Sequence, residues 1–64
     1  MEKNLMELFG QLEQEFTRAC VDSEKFIDGN NSAGTRVRKY MQNIKTLAQA
    51  VRKEVQEQKN SVTA

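Results

Sequence analysis

The sequence predicts an all-α protein, an antiparallel two-helix hairpin, and three observations carry that prediction. Its 64 residues hold no proline and three glycines, and Glu, Gln, Lys, Leu and Ala, which favour helix over strand, are plentiful. Apolar residues recur in alternating steps of three and four along two long stretches. Between those stretches lies one cluster of turn formers, Asp28-Gly29-Asn30-Asn31-Ser32.

The first helix is expected over residues 2–28. Its seam reads Leu5, Phe9, Leu12, Phe16, Ala19, Ser23, Phe26, a heptad pattern that Leu8, Cys20 and Ile27 broaden. The turn is expected at residues 29–31. Gly29 suits the left-handed position that ends a helix, and Asn30 or Asn31 can accept from the free amides that begin the next. The second helix is expected over residues 32–59, on the seam Ala33, Val37, Tyr40, Ile44, Leu47, Val51, with Met41, Ala48 and Val55 widening it. The tail at 60–64, Asn-Ser-Val-Thr-Ala, reads as frayed.

A connection this short returns the second helix alongside the first, so the chain reads as a single helical-hairpin domain. Helices of roughly 24 to 30 residues would be about 36 to 45 Å long. Two helices close no core. Leu8, Ile27 and Met41 are expected to stay available at the edges, and a second hairpin is the simplest cover. The expectation is therefore a homodimeric four-helix bundle. Leu5, Phe9, Leu12, Phe16, Val37, Tyr40, Ile44, Leu47 and Val51 are its candidate core and dimer residues.

Charge is where the sequence speaks to function. Residues 1–29 carry seven acids against three bases, a net of −4, while residues 30–64 carry seven bases against two acids, a net of +5. The near-neutral total of +1 hides a dipolar chain. Arg38, Lys45, Arg52 and Lys59 recur every seven residues, which puts them on one helical face, with Gln42, Gln49 and Gln56 on the neighbouring line. A cationic strip about 30 Å long suits the phosphates of a duplex. Arg36, Lys39 and Lys53 add to it, Arg36 and Lys39 lying nearer the flank where Glu24 or Asp28 would meet them. The bland alternative is a solvated face, or one paired with the acidic first helix.

The segment Gly29–Glu54 resembles the bacterial histone-like nucleoid proteins of the chlamydial linker-histone-like type, which also have short relatives in phage. The resemblance rests on Gly29-Asn30, Ala33-Gly34, Arg36-x-Arg38-Lys39 and, later, Leu47 followed by Arg52-Lys53. The first helix matches only in its general acidic, heptad-like pattern. The resemblance implies a nucleoid-associated, cytoplasmic DNA-binding protein of bacterial or phage origin, with Arg36, Arg38, Lys39, Lys45, Arg52 and Lys53 on the DNA. Longer members continue into a lysine-rich tail. Read as a short, tailless member, this chain is expected to bind through its folded part, with five to seven cations and a salt slope near −5 for about six phosphates. No wedge or recognition-helix pattern points to base readout, and Tyr40 falls on the seam.

Other chemistries find little support. With no histidine and one cysteine, neither a zinc site nor an internal disulfide is expected. There is no glycine-rich phosphate loop and no nucleophile with a base partner, so no catalysis, cofactor or small-molecule substrate is expected. Gly34 is expected to serve close packing near the turn or to be simply a tolerated glycine in the first helical turns. Cys20 is expected to be a buried, inert thiol. No signal peptide and no membrane span are read. The competing function is a protein-interaction hairpin whose leftover apolar stripe binds a partner helix.

Overall fold

A computed structural model describes residues 4–63 of the chain. Among them there are two helices and no strand: α1 (Leu5–Ile27) and α2 (Asn31–Thr63). They pack against each other as a rod of 54 × 18 × 15 Å. The helical start expected at residues 2 and 3, and residue 64 of the expected frayed tail, lie outside the described residues.

Each helix end has a local cause. Asn4 caps α1 with its Oδ1, which accepts from the Glu7 amide at 2.8 Å, and its Nδ2 donates back to Glu7 Oε1 at 3.1 Å. The first bond is an N-cap; the second joins the two side chains and holds the cap in place. At the other end Gly29 adopts φ +109°, a conformation that costs any residue with a Cβ. The Gly29 amide donates to Phe26 O at 3.0 Å and the Asn30 amide to Lys25 O at 3.0 Å, a Schellman closure of the last turn. Asn30 then starts α2, its Oδ1 accepting from the Ala33 amide at 3.2 Å. One residue thus closes the first helix and caps the second. Past Gly34 no glycine or proline interrupts α2, which runs on to Thr63 through the stretch where fraying is expected.

The register is antiparallel. Asp22 meets Arg36, and seven residues earlier on α1 Glu15 meets Asn43, seven residues later on α2. On that register Asn4 stands level with Glu54, and the last two turns of α2 run beyond the start of α1. Small residues let the helices approach near the turn, where Ala19 and Ala33 are buried and the Phe26 ring lies over Gly34. A Cβ built at position 34 would sit 2.6 Å from Phe26 Cδ1. Gly34 therefore serves close packing.

The seam of α1 differs from the expected one by a row. The residues turned toward α2 are Leu8, Leu12, Glu15, Ala19 and Asp22, so the row Leu8, Glu15, Asp22 takes the place of Phe9, Phe16, Ser23. Leu8, expected at an edge, is buried at 5 % exposure, while Phe9 and Phe16 are 48 % and 62 % exposed. The reason is polar. With Asp22 inward, its carboxylate reaches Arg36, and Glu15 Oε2 accepts from Asn43 Nδ2 at 3.2 Å; the aromatic row then lies on the side of the hairpin. Cys20 follows the same rotation and is exposed, not buried. On α2 the expected seam is the one turned inward, with Ala33 buried and Val37, Tyr40, Ile44, Leu47 and Val51 half-buried.

Candidate nucleic-acid interface

The rotation gives the hairpin two unlike sides. One carries a shallow groove lined by Phe9, Leu12, Glu13, Phe16 and Ile44, continued toward the turn by Ser23, Phe26, Gly34 and Val37. The opposite groove is lined by Gln11, Gln14, Glu15, Asn43, Thr46 and Leu47, its surface about evenly polar and apolar. Apolar surface is thus gathered on one side.

The third surface is the back of α2, turned away from α1. Arg38, Lys45, Arg52 and Lys59 run along its border with the apolar side, all exposed, and Arg38 itself lines the groove beside Phe26. Beside them lie Gln42, Gln49 and Gln56, then Lys39, Thr46 and Lys53, also exposed. Successive members of the row are about 10 Å apart along the axis, roughly three base-pair steps of a duplex. Both acids of the described α2, Glu54 and Glu57, are half-buried, unlike the exposed basic residues. The back therefore carries positive charge and amide groups with no carboxylate among them. Arg38, Lys39, Lys45, Arg52 and Lys53 form no ion pair among the described residues.

Arg36 is placed differently. Its Nε donates to Asp22 Oδ2 at 3.0 Å and its Nη2 to Asp22 Oδ1 at 3.1 Å, a two-pronged ion pair between the helices. The sequence points to Glu24 or Asp28 as its partners; Asp22 is the acid that the rotated seam brings inward. Asp22 is 6 % exposed, and the guanidinium beside it holds its carboxyl below the ordinary 3.8, with the nearby Tyr40 hydroxyl adding to the lowering. Burial is the main reason that the Tyr40 phenol is pushed up. Tyr40 is thus part of the clasp under the turn, and Arg36 ties the two helices. No group of three or more metal-ligating side chains is present among the described residues, and no described helix is long and apolar enough to cross a membrane.

Sequence reasoning missed Asp22. Its signal was present: an acid seven residues after Glu15 and on the same row, which a solvated face would not require. Only pairing with Arg36, fourteen residues away, makes that row an inward one.

A family model described as Histone H1-like protein Hc1 matches residues 6–61. No curated protein and no solved structure matches.

Proposed function

The chain belongs to the Histone H1-like protein Hc1 family, and from that premise we propose that it is a small nucleoid-associated protein that holds the DNA backbone with the back of α2. The observation that carries the reading is the carboxylate-free cationic surface made by Arg38, Lys45 and Arg52, flanked by Lys39 and Lys53. Arginine and lysine without a built pocket engage phosphates, which fixes the protein on the duplex and reads no sequence. Binding is sequence-tolerant and non-catalytic. Arg36 contributes by keeping α2 in register on α1 and not by touching DNA.

Self-association belongs to the same proposal. A homodimer built on the apolar side covers Phe9, Phe16 and Phe26 and makes the four-helix bundle that gives each hairpin a closed core. It leaves Lys39 and Lys53 of each α2 outward and sets Arg38, Lys45 and Arg52 at the rim, so one dimer offers two weak sites whose joint engagement strengthens binding to long DNA.

The test is a gel shift on duplexes of unrelated sequence with the native chain and with Arg38, Lys45 and Arg52 all changed to glutamine. The triple variant is expected to fold with the same helicity and to lose most of its affinity. Unchanged binding would remove the strip from the interface. Failure of the native chain to bind any duplex, with a helical partner captured by the apolar side, would favour the protein-interaction hairpin.

A further inference from the structure

Resting on that dimer, we infer that the second copy docks with its two-fold axis along the length of the hairpin, so that each α1 lies on the partner's α2 and both turns fall at the same end. Two face-to-face pairings of the apolar sides are compatible with two-fold symmetry. With the axis lengthwise, α1 covers the partner's α2. With the axis crosswise, α1 covers the partner's α1 and α2 the partner's α2, with the turns at opposite ends.

The rows that border the apolar side decide between them. On α1 that border is Met6, Glu13, Cys20, Ile27; on α2 it is Arg38, Lys45, Arg52, Lys59. Met6 and Ile27 are 75 % and 80 % exposed, which leaves apolar surface at the rim for a second chain to cover. A crosswise axis sets the basic row against its own copy, and like charges across an interface oppose association. A lengthwise axis sets it against the α1 border. On the register fixed by Asp22–Arg36 and Glu15–Asn43, Glu13 stands level with Lys45. In the lengthwise dimer Glu13 therefore meets the partner's Lys45, twice by symmetry, and Met6 lies against the stem of the partner's Arg52. The opposite signs of the two helices as wholes act in the same direction.

Light scattering and a spin-label distance separate the alternatives. In a Cys20→Ser background, a label at Asp28→Cys marks the turn, which is exposed and away from the apolar side. The lengthwise dimer brings the two turns within about two helix diameters, some 20 Å. If a crosswise axis passes near Phe16, twelve residues from the turn, the labels stand about 36 Å apart. A dimer mass with the short distance supports the inference; a dimer mass with the long one overturns the orientation while leaving the dimer. A monomer mass near 7.4 kDa overturns the dimer itself. Glu13→Lys is expected to raise the dissociation constant about fivefold, and adding Lys45→Glu to restore it. Recovery in the double variant is an outcome that a general loss of folding does not give.

Discussion

Asp22 and Arg36 are the pair on which the hairpin's register turns. Asp22 is buried while Arg36 reaches solvent, so removing the guanidinium leaves a buried carboxylate without its partner, whereas removing the carboxylate leaves a guanidinium that water still hydrates. Asp22→Asn is expected to lower the melting temperature modestly, and Arg36→Gln, which leaves the buried carboxylate without its guanidinium, by more, whereas Asp28→Asn, at the exposed turn, changes it little; thermal unfolding followed by circular dichroism compares them. The pH dependence has a definite sign. The folded-state value of Asp22 is depressed, so the stability that the pair contributes is complete above the ordinary 3.8 and is lost as pH falls through the depressed value. The gap in melting temperature between the native chain and Asp22→Asn is expected to close in acid. A gap that widened there would contradict the assignment. Gly34 gives a second test at this scale. Helix propensity alone favours Gly34→Ala by about 1 kcal/mol, but the new Cβ would strike the Phe26 ring. The gain is expected in full only in a Phe26→Ala background, and a double-mutant cycle by chemical denaturation reads the difference.

The helices and their turn were legible in sequence because their signals are local. Gly29 can take a left-handed conformation and Asn30 can accept from an amide whatever the rest of the chain does, and both serve as those chemistries suggest. Asn30→Ala is expected to cost about 1 kcal/mol of stability and Asn30→Gly only a few tenths, while Gly29→Ala costs about 1 to 2 kcal/mol. Equal effects of the two Asn30 substitutions, measured by denaturant unfolding, would remove its capping role. The inward face of α1 was not legible in the same way. Rows Phe9-Phe16-Ser23 and Leu8-Glu15-Asp22 are neighbours on the helix with the same period, and periodicity scores the apolar one higher. What selects the polar row is the distant pair Asp22–Arg36, together with the freedom of a two-helix structure to leave phenylalanines on its side. Position 36 shows the converse. Its charge marked it as a DNA contact, yet the fold employs it between helices, whereas the neighbouring seven-residue row Arg38-Lys45-Arg52 keeps its outward place because nothing on α1 reaches behind α2.

At the scale of the molecule, the proposed function divides the work among surfaces: an apolar side for a second copy and a cationic back for DNA. The division follows from the sorting of charge between the two halves of the chain, a net of −4 over residues 1–29 and +5 over residues 30–64. The affinity of that back for duplex DNA should therefore come from counterion release. With Arg36 committed to Asp22, about five phosphates are neutralised per back, and the logarithm of affinity should fall against the logarithm of salt concentration with a slope near −4.5. Fluorescence titration of a labelled duplex from about 50 to 200 mM salt measures that slope directly. Binding is expected at the low end with that steep decline; no binding in about 50 mM salt, or affinity indifferent to salt, would contradict a DNA-holding role for the basic surface of α2.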